Sequence, residues 1–183
     1  IHQAIEAVKM HHGLAQRPSG EPLYMHLLTV GYIVLDYSTE EATILAALFH
    51  EAVKGNKLLL KHIKQYYGKE VWQMMRHLED ITCSKKRFYT MRLSAAENIQ
   101  SFLAIRDARV LYVQIADRLH DMRTVNAFPG THQQQLAEET LLFIVPLCKE
   151  LGLEEAAKEL AVLSAKVLNH RLSTPRDLYS KSS

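Results

Sequence analysis

Ile44-Leu-Ala-Ala-Leu-Phe-His50-Glu51-Ala-Val-Lys54-Gly55 is the stretch on which the reading of this chain turns. Six apolar residues in succession lead into an imidazole and a carboxylate. Ahead of them, Ser38-Thr-Glu-Glu41 has the spacing of a capping box, in which hydroxyl and carboxylate each satisfy an amide at a helix start. Gly55 can take the left-handed conformation that ends helices. The pattern predicts a helix over 39–54. Adjacent helix residues lie about 100° apart, so His50 and Glu51 can serve one site near its carboxyl end. An imidazole beside a carboxylate suits a metal ion, provided further ligands arrive from elsewhere. Two candidates are His26, upstream, and Asp117, downstream.

Outward from that helix, every long periodic segment reads as helical. Ile1, Ile5, Val8 and His12 share a stripe closed by Gly13, which predicts a helix over 1–12. A turn-rich loop, Gln16 to Pro22, leads to a helix over 22–36 with His26 in its first turns. Asn56 can cap a helix that runs to Gly68, and another spans 69–80 around Trp72, where Met74, Met75 and Leu78 fit a core face. Residues 82–89, rich in Lys and Arg, read as a connection, followed by a helix over 90–105. Asp107 caps a further helix, 108–125, that is apolar almost all round, as central helices are. Its polar members Asp117, Asp121 and Thr124 fall at i, i+4 and i+7 on one line. Helices over 132–151, kinked at Pro146, and over 153–169 complete the chain. With no alternating strand pattern and no repeat, the expectation is an all-α fold of eight or nine helices. One domain spans 1–172, and residues 173–183 form a flexible tail.

Composition narrows the function classes. The chain has 183 residues, 48% hydrophobic and 23% charged, ordinary for a globular protein with a buried core. A net charge of +2 gives no electrostatic case for nucleic acid. No apolar run reaches the roughly 18 residues that span a bilayer, so no membrane partner is expected. The first residues are mixed in charge, unlike a secretory signal. Cys83 and Cys148 are too far apart for a zinc ribbon or a disulfide framework, which points to a reducing, cytoplasmic setting. His11 and His12 read as exposed and silent, and nothing turns His77 or His120 inward.

His26, His50, Glu51 and Asp117 together supply two nitrogen and two oxygen donors from three helices. Singly, each is an ordinary helix-end histidine or ion-pair partner, Asp117 with Arg118 or Arg123 nearby. Jointly they favour a metal site. Around them, Arg17-Pro-Ser-Gly-Glu-Pro-Leu-Tyr-Met-His26, Ala46-Ala-Leu-Phe-His50-Glu51 and Ile115-Ala-Asp-Arg-Leu-His-Asp-Met-Arg-Thr124 resemble the alarmone hydrolase domain of the RelA/SpoT homologues, within the HD-domain metal phosphohydrolases. Glu139-Thr140 and Pro146-Leu-Cys-Lys-Glu-Leu-Gly152 match as well, so the likeness covers residues 10 to 160. The resemblance implies an all-α domain that holds a divalent metal, usually Mn²⁺, and removes the 3′-pyrophosphate from guanosine tetra- or pentaphosphate. Carried over, it gives His26, His50, Glu51 and Asp117 to the metal and lays Arg17 against a guanine base. Ser19, Asp121 and Thr124 fall at the nucleotide pocket.

The departures bear on activity. The family reads His-Asp-x-x-Glu-Asp where this chain reads His50-Glu51-Ala-Val-Lys54-Gly55. Glu51 keeps the charge but adds a methylene. Lys54 and Gly55 replace the family's acid/base carboxylates, whose assistance is worth roughly 10²–10⁴ in rate. Pro18 stands for a basic residue, and Asp121 for an Asn. Two catalytic assignments remain. Glu51 is either a ligand or the base, and Lys54 is a contact for a substrate phosphate. The expectations are an enzyme of reduced or shifted activity, a nucleotide- or metal-binding regulatory domain, or a helical scaffold with a polar core.

Overall fold

The computed structural model describes residues 1–51, 57–91 and 107–173. The chain forms two compact units, Ile1–Asp121 and Met122–Ser183.

The first unit contains α1 (His2–His12), α2 (Leu23–Val34), α3 (Glu41–Phe49), α4 (Lys57–Met91) and most of α5 (Ala108–Arg123). Helix α3 packs on α2 and α4, and α1 packs on both α2 and α3. Gly31 permits a close approach between α2 and α3. A Cβ there would stand 3.3 Å from Leu48 Cδ2. The core draws Leu27 and Val30 from α2, Leu45 and Leu48 from α3, Met74 and Met75 from α4, and Leu111 and Ile115 from α5. Full burial of each such side chain stabilises by about 1.5–3 kcal/mol. Asp107 caps α5 as its sequence predicts, its Oδ1 accepting from the Arg109 amide at 3.1 Å. The Arg109 guanidinium donates to Asp107, to Glu40 just before α3 and to Glu70 on α4. Its hydrogen bonds hold the Asp107 carboxyl below its usual range, against the opposing effect of burial.

Two local expectations are corrected and one is met. Ser38 does not cap α3. Its hydroxyl accepts from the Glu40 amide and donates to Thr43, while the helix starts at Glu41 with no side-chain cap. The break expected at Gly68 is present: that residue is non-helical, at φ 92, ψ 172, and divides the span Lys57–Met91 into two helical stretches. That span also takes in 82–89, expected as a connection. The helix expected over 90–105 falls largely outside the described residues, as do Lys54, Gly55 and the tail from 174.

In the second unit a 3-10 turn, Val125–Ala127, precedes α6, a continuous helical run over 130–150, and α7 (Glu154–Ser173). The kink expected at Pro146 is a π turn, Thr140–Ile144, that ends two residues before the proline. Proline has no amide to give the i−4 carbonyl, and the wider turn accommodates that loss. Thr140 Oγ reinforces it by donating to the Leu136 carbonyl at 2.6 Å. Arg123 makes a two-pronged pair with Glu159 at 2.7 and 2.8 Å. The fold is all-α. Seven helices stand among the described residues, slightly fewer than the eight or nine expected. The same residues contain no strand and no helix long and apolar enough to cross a membrane.

Candidate metal centre

Three helices of the first unit bring the four expected ligands together. His26 lies in the first turns of α2, His50 follows the last residue of α3, Glu51 comes next, and Asp117 projects from α5. One donor atom from each lies within 4.8 Å of all the others. His26 Nε2 is 3.3 Å and His50 Nε2 3.4 Å from Asp117 Oδ1, and His50 Nε2 is 3.7 Å from Glu51 Oε1. Two ligands at ~2.1 Å from one ion can be no more than roughly 4.2 Å apart, so these separations suit a shared cation. The His50 ring is oriented by its own helix. Its Nδ1 donates to the Ala47 carbonyl at 2.7 Å, which turns Nε2 into the cluster. That Nε2 is buried, and among the described residues only these two carboxylates meet it. A nitrogen in that position with two carboxylates close by fits a divalent transition metal.

The electrostatics agree with that geometry. Burial alone would lower the His50 pKa, but the Asp117 and Glu51 carboxylates and the Ala47 carbonyl outweigh it, and the value is raised. Burial would raise the Asp117 pKa, yet the adjoining His50 and His26 rings hold it well below the usual carboxylate range. Two carboxylates and two imidazoles therefore enclose a place that attracts positive charge.

A second group, His26, His120 and Asp121, has comparable spacing. It already contains a cation. Arg17 Nη2 donates to Asp121, Nη1 lies 2.8 Å from His120 Nδ1, and Nη1 is 3.3 Å from Glu21 Oε2. A fixed guanidinium among these atoms opposes a second metal. His26 Nδ1 lies 2.8 Å from the same His120 nitrogen. Burial and the neighbouring His26 push the His120 pKa down to about 4, so its ring is neutral at physiological pH. Burial and Asp117 raise the Asp121 pKa, with Arg17 opposing.

Of the residues expected at a nucleotide pocket, Arg17 and Asp121 adjoin the centre and bind each other. Ser19 does not reach it; the Ser19 hydroxyl accepts from the Glu21 amide in an exposed turn. Thr124 belongs to the second unit, where it precedes the 3-10 turn. Lys54 lies outside the described residues. His120, which nothing in the sequence turns inward, is 6% exposed and bridges Arg17 and His26. The signal for it was its spacing from Asp117, three residues along the same helix face. His12, expected to be silent, is half-buried with an inaccessible Nε2. It borders a cavity of about 520 Å³ between α1 and α4, lined by Met10, Phe49, Ile63 and Tyr66 among others. Among the described residues its walls hold no carboxylate, so it does not compete as a metal centre.

Fold and donor set together define a helical domain with a candidate divalent-metal centre. The chain belongs to the HD domain family, whose family model matches residues 4–154. It is 32% identical over 160 residues to a GTP pyrophosphokinase rsh of Brucella ovis, covering 86% of this chain and 21% of that protein. It is 34% identical over 159 residues to a probable guanosine-3′,5′-bis(diphosphate) 3′-pyrophosphohydrolase of Synechocystis, with 86% and 21% covered. To the bifunctional (p)ppGpp synthase/hydrolase SpoT of Escherichia coli K12 it is 28% identical over 170 residues, with 92% and 24% covered. The chain thus spans between a fifth and a quarter of the length of these curated relatives. A solved structure described as a metazoan ortholog of SpoT that hydrolyzes ppGpp shares the fold, with a TM-score of 0.65 at 18% identity over 93% of this chain and 94% of that one.

Proposed function

We propose that this domain, taken as residues 1–172, is a metal-dependent phosphohydrolase of a cytoplasmic setting. It acts on a guanine nucleotide carrying a 3′-diphosphate, or on a related phosphorylated nucleotide. The observation that carries the reading is the convergence of His26, His50, Glu51 and Asp117, with a buried His50 nitrogen facing two carboxylates. These four side chains would hold the cation, Mn²⁺ in our reading. When bound, it supplies Lewis-acid activation of water and of a phosphoryl oxygen. Glu51 acts here as a ligand, its extra methylene allowing the oxygen to reach the group from the residue after His50. Lys54 stands where the family carries a proton-transferring carboxylate and binds a substrate phosphate instead. That exchange lowers the hydrolytic rate or shifts the substrate.

The replacement of both acid/base carboxylates by Lys54 and Gly55 also favours a second reading, a regulatory domain that binds nucleotide or metal without turnover. One measurement separates the two. The chain is supplied with Mn²⁺ and guanosine tetraphosphate, and pyrophosphate release is followed. Release that disappears in Asp117→Ala supports the enzyme. No release alongside micromolar nucleotide binding establishes the regulator.

A further inference from the structure

We propose that His120, held by Arg17, is the positioning residue that fixes the tautomer of His26, so that the His26 Nε2 lone pair faces Asp117 and the metal position. The inference rests on the metal reading above and assigns residues outside the four ligands.

Each proton along this line of contacts has one place to sit. A guanidinium only donates and does not lose its charge in proteins. With Arg17 Nη1 at 2.8 Å, His120 Nδ1 must therefore be the acceptor and carry no proton. His26 Nδ1 lies 2.8 Å from that same nitrogen, so the proton between them sits on His26. A metal takes a neutral imidazole, so with Nδ1 carrying the proton it is the His26 Nε2 lone pair, on the nitrogen 3.3 Å from Asp117 Oδ1, that is left for the ion. A metal-ligating histidine typically donates its other N–H to a partner that sets ring orientation and basicity, and His120 supplies that partner here. Arg17 is set in turn by Asp121 and Glu21, and its side chain is 9% exposed. Asp121 is thus the counter-ion that keeps Arg17 aimed at His120. The chain of restraint runs from the Arg17 loop through α5 to the ligand on α2.

The family likeness gives Arg17 and Asp121 to the substrate, and metal affinity distinguishes the two roles. Mn²⁺ binding to the full chain is measured from the paramagnetic signal of free Mn²⁺, with no nucleotide present, in wild type, His26→Ala, His120→Leu, His120→Asn and Arg17→Met. His120→Leu and Arg17→Met are expected to raise the Mn²⁺ Kd about 10–100-fold, the usual effect of losing such a partner. His120→Asn keeps an acceptor near the place of Nδ1 and is expected to stay within a few-fold of wild type. If His120→Leu is destabilised, Arg17→Met, which changes a loop residue, decides the question. Long-range proton–nitrogen correlation spectra add a readout that packing alone would not move. His26 is expected to be protonated at Nδ1, and to change to Nε2 in His120→Leu. Wild-type Mn²⁺ affinity in folded His120→Leu and in Arg17→Met, with binding lost in His26→Ala, overturns this inference and leaves the metal centre standing. Wild-type affinity in His26→Ala overturns both.

Discussion

Asp117→Asn removes one charge and almost no volume from between two imidazoles that are each 3% exposed. In the metal-free protein the Asp117 carboxylate raises the His50 pKa and the His50 ring lowers that of Asp117, each against the effect of burial, so each favours the other's charged form. A hydrogen bond to a charged group is worth about 1.5–3 kcal/mol. Both contacts fall on one Asp117 oxygen, and in the variant His50 can shed its proton, so the expected loss is that of one such bond, about 2 kcal/mol. The pH window follows from the two directions. The raised His50 value contributes stability that is fully present below its unfolded pKa of about 6.5 and is lost as pH rises through the folded value. The depressed Asp117 value contributes stability that is present above about 3.9 and is lost as pH falls through the folded value. The variant is therefore destabilised most between about pH 4 and pH 6.5. Urea unfolding of the chelator-treated protein at about pH 5.5 and about pH 8.5 reads this directly. Metal binding has the opposite preference, because the imidazoles must first lose their protons. At about pH 8, Asp117→Asn is expected to weaken Mn²⁺ binding by more than the roughly 100-fold upper effect of losing an outer partner. An equal stability loss at both pH values, or unchanged Mn²⁺ affinity, would refute the reasoning.

Two further outcomes follow from the same residues. Lys54→Glu combined with Gly55→Asp restores the acid/base pair expected of the family. It should raise pyrophosphate release from guanosine tetraphosphate at least tenfold within the roughly 10²–10⁴ range of such catalysis, and an unchanged rate would show that this pair does not limit the reaction. Gly68→Ala places a side chain at φ 92, ψ 172, a region open almost only to glycine. It should destabilise by about 1–3 kcal/mol in urea unfolding, and wild-type stability would show that the break in α4 relaxes without strain.

The helices and the four side chains that cluster as candidate ligands are legible because each has a local signature. Apolar periodicity marks the helices, and chemically distinctive residues at fixed spacing mark the ligands. Where those signals failed, a longer-range interaction was at work. Ser38 sits three residues before a glutamate, as a capping box requires. However, the Glu40 carbonyl accepts the first helical bonds, from Thr43 and Ile44, and this leaves Ser38 to a turn. The Lys and Arg residues of 82–89 read as a linker, although both types favour helix and their positive charge does not end one. His120 was missed for a different reason. Its partner Arg17 is 103 residues away in a turn-rich loop, so no window along the chain contains both. Arg17 and Asp121 were each noticed, but as separate substrate contacts, because a sequence does not show that two opposite charges will meet.

The metal-free electrostatics also bear on whether the cluster is only a polar core. Unpaired buried charge is costly by several kcal/mol, which argues against such a core when the carboxylates are counted alone. The rings change that balance. A proton on His50 pairs with Asp117, and this satisfies the centre without any metal while His50 remains protonated. That stability is lost as pH rises through the His50 value, because deprotonation leaves anionic oxygens facing bare imidazole nitrogens. A scaffold gains nothing from an arrangement that weakens on losing one proton. A site that exchanges that proton for a divalent cation uses this property, since the same deprotonation that weakens the empty cluster completes its ligand set.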